Sequence, residues 1–99
     1  MAGPAPFITD AQAEAALDYL RDSAVPLGEA KYQCIITEKM AKRKRATIMS
    51  ESGLKTVSAQ ERYADAHVFM LDAWEEEAKA AKEYEILRSY RDAAIARVE

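Results

Sequence analysis

From residue 58 to residue 99 the chain carries neither proline nor glycine. A stretch of that length, rich in alanine, glutamate, lysine and arginine, favours one regular conformation, the α-helix. Its apolar residues agree: Ala66, Ala73, Ala80, Leu87 and Ala94 recur every seven positions beside Tyr63, Met70, Tyr84 and Val98. That is the spacing of a helix face that docks lengthwise on another helix. Alanines in such a seam permit close approach. A continuous helix over this stretch would be about 60 Å long, more than a compact domain of 99 residues accommodates. An elongated molecule is expected.

The start of this helix is marked by Ser58-Ala59-Gln60-Glu61, which has capping-box spacing, with Val57 immediately outside it. Upstream, Ser52-Gly53-Leu54 reads as a stop, because Gly53 takes a left-handed C′ conformation at no steric cost. The helix before that stop is expected over residues 26–50. Pro26 suits a first turn, where its missing N–H matters little. Leu27, Cys34, Ala41 and Ile48 form a second seven-residue series, widened by Ile35, Ile36 and Met40. A shorter first helix is expected over residues 9–23. Thr9 and Gln12 supply its capping box, Asp10 complements the dipole, and Ala13, Ala16, Leu17 and Leu20 give its face. It ends near Ser23, because Pro26 disfavours α geometry at Val25. Residues 1–8, with two prolines and a glycine, are expected to be a flexible arm.

The fold class is therefore all-α: residues 9–99 form one domain, an elongated antiparallel helical hairpin with a short N-terminal helix. Pairing about Gly53 and Leu54 sets residue i opposite about 108 minus i. The first helix then lies along residues 86–99, Lys42 through Arg45 lie opposite residues 63–66, and Glu75, Glu76 and Glu77 lie opposite residues 31–33. Two helices cannot cover Phe69, Met70, Leu71 and Trp74 on all sides, so a homodimer is expected to complete a helical bundle. Tyr63, Met70, Trp74, Tyr84 and Leu87 are the expected protein interface.

The net charge of −3 conceals a segregated pattern. Residues 1–30 sum to −4, residues 31–62 to +5 and residues 63–99 to −4. The basic middle holds the run Lys39, Lys42, Arg43, Lys44 and Arg45. Positive charge in the last turns of a helix complements the dipole, and clustered cations also bind phosphates by releasing counterions. Tyr32 or Tyr63 could then stack on an unpaired base. In the expected register the basic run and the glutamate run stand about 15 Å apart, beyond the Debye length. The basic run is thus open to an acidic partner, either a nucleic acid or the acidic stretch of another subunit.

The remaining chemistry is sparse. Cys34 is the one cysteine, so no internal disulfide forms, and among apolar neighbours its thiol acts as a small hydrophobe. His67 is the one histidine. It has no partners at metal-ligand spacing and reads as a partly buried seam residue. No glycine-rich phosphate loop, paired-cysteine motif or nucleophile elbow is present. No catalytic residue, metal ligand, cofactor or small-molecule substrate is assigned. No segment reaches the roughly 20 apolar residues of a membrane span, and a cytoplasmic location is expected.

The run Ser52-Gly53-Leu54-Lys55-Thr56-Val57-Ser58-Ala59-Gln60-Glu61-Arg62, with the later Glu83-Tyr84-Glu85-Ile86-Leu87-Arg88, resembles small helical accessory proteins of bacteriophage and prophage early gene regions. The resemblance covers roughly the C-terminal half. It implies a viral accessory role near recombination or replication, in the host cytoplasm, and transfers no catalytic residue. The leading expectation is a noncatalytic accessory or regulatory protein acting on DNA or a nucleic-acid-processing complex. The alternatives are a protein-binding inhibitor or adaptor against a host machine, and a structural assembly module.

Overall fold

The computed structural model describes residues 9–98, and among them all regular structure is helical: α1 (Asp10–Asp22), α2 (Ala24–Glu51), α3 (Val57–Ala66) and α4 (Val68–Val98). The expected arm, residues 1–8, lies outside the described residues. The molecule is a rod of 76 × 24 × 17 Å with a radius of gyration of 21.6 Å, against about 13 Å for a compact chain of this length. α2 and α4 run side by side as the two arms of an antiparallel hairpin, and α1 packs on the far end of α4.

The first helix begins as its sequence requires. The Thr9 hydroxyl accepts the Gln12 N–H at 3.1 Å, and the Gln12 side chain accepts the Thr9 N–H at 2.9 Å, a complete capping box. The break at Ser23 is a single residue wide. α2 starts at Ala24, two residues before the expected Pro26, and Val25 is helical despite preceding proline. Pro26 acts one turn earlier: it offers no N–H to the Asp22 carbonyl, so the helical hydrogen-bond ladder is interrupted at Ser23, which itself keeps αR geometry. The Ser23 and Leu27 amides restore the ladder on either side, at 2.8 Å to the Tyr19 carbonyl and 2.9 Å to the Ser23 carbonyl.

At the other end of α2, Gly53 has φ +73°, as its place after the helix stop demands. The next cap sits two residues earlier than expected. Thr56 is the N-cap, its hydroxyl accepting the Ala59 N–H at 3.2 Å, and Val57 is already helical. Gln60 turns outward from the expected box and donates to the Leu54 carbonyl at 2.8 Å.

The larger correction concerns the long C-terminal helix. It is broken at His67, whose ψ of 130° is extended, and α3 and α4 flank the break. Packing explains it. Ala64 and Met70, each 0% exposed, form the core with Ile48, with Met49 and Ala73 against them. In one straight helix two residues six apart point about 120° from each other, so only a break lets both face Ile48. Beyond His67 the expected seam is observed: Ala73, Ala80, Tyr84 and Leu87 are half-buried and Ala94 is buried. Ala66, before the break, is exposed.

The break also shifts the register. Near the turn Arg45 meets Asp65 at 2.9 Å, close to the expected pairing. Further out the Cys34 thiol donates to the Ala80 carbonyl at 3.2 Å and the Lys31 ammonium lies 5.0 Å from the centre of the Tyr84 ring. From Arg45 back to Cys34, α2 moves eleven residues, while the opposite arm uses fifteen, from Asp65 to Ala80. The slip decides which side chains share a surface.

Candidate functional site

Two grooves lie end to end along one flank of the hairpin, between α2 and α4, and share Thr37 and Glu76. The first, about 560 Å³, lies between Pro26 and Thr37 of α2 and between Glu76 and Leu87 of α4. The second, about 690 Å³, continues past Met40, Lys44 and Thr47 to Glu51 and is closed on the other side by Phe69, Asp72 and Ala73. Together they make a single open trough. Its two halves differ in charge placement. One half carries Arg43 and Lys44 beside the apolar Met40 and Phe69, with Glu51 and Asp72 on its walls; the other carries Glu29 and Glu83, with Lys79 between them and Glu76.

Helical spacing and the shifted register build this surface. Met40, Lys44, Thr47 and Glu51 recur at intervals of three and four on α2, and Phe69, Asp72, Ala73 and Glu76 do the same on α4, so each set lies along one side of its helix. Met40 and Phe69 are 62% and 61% exposed, large apolar side chains on the walls of a groove rather than in the core. Exposed apolar surface gathered in a groove and rimmed by charge is characteristic of a docking site.

The five cations expected to bind an acidic partner are not equivalent. Arg45 is held by Asp65, with its Nε 2.9 Å from one carboxylate oxygen and an Nη 3.3 Å from the other. The hydrogen bond to Asp65 is the main cause that raises the Arg45 pKa above its ordinary value, with burial opposing it and the charges of Asp65 and Glu61 adding to it. Arg45 thus joins α2 to α3, contrary to the expectation that it stands free. Lys42 pairs with Glu38 at 3.1 Å along its own helix. Lys39, Arg43 and Lys44 make no ion pair among the described residues. Arg43 and Lys44 share the trough with Glu51, Asp72 and Glu76, so carboxylates stand beside cations where the sequence register kept them apart.

The expected protein-interface residues also separate. Met70 is fully buried within the hairpin and is core. Leu87 is half-buried in the acidic half of the trough. Tyr84 is half-buried with Lys31 over its ring. Tyr63 is exposed and stacks edge-on with His67, ring centres 5.7 Å apart. Trp74 is 37% exposed. By helical position Trp74 lies with Leu71 and Ala78 on the flank of α4 away from Phe69 and Glu76. No surface gathers all five.

His67 has a structural task the sequence did not disclose. Its Nδ1 accepts the Phe69 N–H at 3.2 Å at the start of α4, and its ring lies between those of Tyr63 and Phe69. Cys34 is half-buried in the seam. Among the described residues, no three His, Cys, Asp or Glu side chains converge on a point where a metal ion would sit. Every buried side-chain nitrogen and oxygen there has a hydrogen-bond partner. No helix among the described residues is long and apolar enough to cross a membrane.

The side chains the sequence reading missed are Glu29, Lys79 and Glu83 in the trough and Arg91 at the far end. Their signal was present in the trough as a spacing of seven from Glu76 to Glu83, facing one of eight from Thr37 back to Glu29, but only the observed register aligns the two. The fold and this surface define an elongated all-α hairpin with an open amphipathic flank. Comparison with protein-family models, curated proteins and solved structures finds no match for the chain. The functional reading therefore rests on this geometry and on the sequence resemblance.

Proposed function

We propose that this chain is a noncatalytic accessory module of a nucleic-acid-processing assembly, and that it works by lengthwise docking of the α2–α4 trough on a helical protein surface. The observation that carries the reading is the trough itself, with Met40 and Phe69 exposed on its walls and Arg43 and Lys44 beside them. Helix-in-groove recognition uses this combination of apolar anchors at helical spacing and flanking charge. The phage-region resemblance supplies the nucleic-acid context. An open flank lined by exposed charges beside exposed apolar side chains supports recognition rather than catalysis.

Direct nucleic-acid binding is the second reading, favoured by the absence of ion pairs at Lys39, Arg43 and Lys44 and by the 56% exposure of Tyr32. It ranks lower because Glu51, Asp72 and Glu76 line the same trough and repel phosphates approaching Arg43 and Lys44.

The two readings separate in one set of measurements on the whole chain. Nuclease-treated capture of nucleic-acid-processing proteins should be lost in Met40→Asp, with helix content unchanged by circular dichroism. Fluorescence anisotropy with single- and double-stranded oligonucleotides should show no strong binding between about 50 and 200 mM salt. Tight oligonucleotide binding that weakens steeply with salt and with Arg43→Glu and Lys44→Glu would replace docking by the second reading.

A further inference from the structure

The two halves of the trough are related in a way that one chain cannot use. Thr37 and Glu76, shared by both grooves, mark the middle. On α2, Lys44 lies seven residues to one side of Thr37 and Glu29 eight residues to the other. On α4, Phe69 lies seven residues to one side of Glu76 and Glu83 seven to the other, with Asp72 and Lys79 nearer the middle on opposite sides. Lys44 and Glu29 are about 22 Å apart along the helix axis, beyond the Debye length at physiological salt. The cations of one half therefore do not neutralise the glutamates of the other within a single hairpin.

We propose that the trough is occupied by the trough of a second copy of this chain, packed antiparallel about a two-fold axis near Thr37 and Glu76. The proposal rests on the reading of the trough as a docking surface and names its occupant. The two-fold exchanges the halves. Arg43 and Lys44 of each copy come to lie over Glu29 of the other, with Glu83 of the other diagonal to them beside Phe69, and Asp72 of each lies over Lys79 of the other. Every such contact occurs twice, as a closed isologous interface requires. Met40 and Phe69 are covered in the same step. The trough runs about 38 Å along α2, and with transverse extents of 24 and 17 Å for the whole molecule its face is about 650–900 Å² per copy, within the range of a specific stable interface. Two features oppose the pairing: Glu76 lies near the axis and faces its own counterpart, with Lys79 of its own chain at 3.7 Å, and Glu51 at the end of the trough gains no cation.

The test uses paired charge reversals. One chain carries Arg43→Glu and Lys44→Glu; a second carries Glu29→Lys and Glu83→Lys. All four positions are exposed, and circular dichroism checks that helix content is kept. By sedimentation equilibrium the unaltered protein should reach twice the chain mass at micromolar concentration. Each altered chain alone should dissociate, its dissociation constant raised by at least about tenfold. Mixed in equal amounts, they should form a heterodimer, because both sets of opposed charges are then complementary. Glu76→Gln should tighten the unaltered dimer, which tests the same axis even if a doubly altered chain folds poorly. An unaltered protein that stays monomeric, or a dimer indifferent to all of these changes, overturns the proposal. If the protein is monomeric yet captures another protein in a manner abolished by Met40→Asp, the occupant is that protein and the docking reading survives without the dimer. If Met40→Asp changes neither mass nor capture, both fall.

Discussion

The guanidinium of Arg91 reaches from α4 to the Leu20 carbonyl at 2.8 Å and the Ser23 hydroxyl at 3.1 Å. Leu20 belongs to the last turn of α1, where carbonyls lack helical partners and the dipole favours a cation. Ser23 is only 8% exposed, and its hydroxyl also donates to the Leu20 carbonyl at 3.3 Å, so the three groups form one small network. One charged side chain thus fastens the break between α1 and α2 to the opposite arm. Arg91→Met keeps much of the apolar stem but removes both donations. Its expected cost is about 1–3 kcal/mol, read by urea unfolding, with faster hydrogen exchange confined to α1 if the rest of the hairpin holds. A stability within about 0.5 kcal/mol of the unaltered chain would mean that α1 docks through its alanines alone. Arg45 makes the corresponding link near the turn. Because its pKa is raised in the fold by Asp65, its contribution is fully present below the unfolded arginine pKa and is lost only as pH rises through the still higher folded value. Neutral and acidic pH therefore leave the arginine side of the pair unchanged.

At the scale of elements, what was legible in the sequence is what local chemistry decides. The Thr9–Gln12 box, the Gly53 stop, and the seven-residue series of Leu27, Cys34, Ala41 and Ile48 and of Ala73, Ala80, Leu87 and Ala94 are each set by neighbours within two turns, and the structure has them all. The break at His67 was not legible, because no residue there opposes helix strongly enough. It exists to turn Ala64 and Met70 toward Ile48, a demand that comes from the other arm. The trough was illegible for the same reason: Phe69 already fell beside Met40 in the expected register, but four extra residues on the α3–α4 arm moved Asp72 and Glu76 into the groove of Met40 and Lys44. The Nδ1 of His67 closes the break by accepting the Phe69 N–H. His67→Ala offers a better helix former but no acceptor. It should destabilise the protein by about 1–2 kcal/mol, as loss of a cap does, whereas Asn, which caps, should stay near the unaltered stability. Urea unfolding of both variants is the measurement. A gain of helicity and stability in the alanine variant would show that His67 itself imposes the break and that packing against Ile48 does not require it.

For the whole molecule, the limiting quantity is how little the hairpin buries. The buried apolar residues among those described are Ile48, Met70 and five alanines, while Val25, Met40, Val68, Phe69, Leu71 and Tyr90 are each 60% exposed or more. Alanine contributes little apolar area, and folded small domains are held by only a few kcal/mol. A single rod of this kind should therefore be marginal, and part of its stability should come from whatever covers its flank. Binding confined to the folded state adds stability that grows with the concentration of the binder. If the binder is a second copy, the melting temperature must rise with the protein's own concentration. A tenfold increase well above the dissociation constant should add about 0.7 kcal/mol per chain, a shift of several degrees for a domain of this size. The chain carrying Arg43→Glu and Lys44→Glu should melt lower and without that dependence, and mixing it with the chain carrying Glu29→Lys and Glu83→Lys should restore both. A melting temperature high and indifferent to concentration would mean that the seam of α2 and α4, small as its side chains are, holds the rod by itself, and that nothing about its stability requires the flank to be covered.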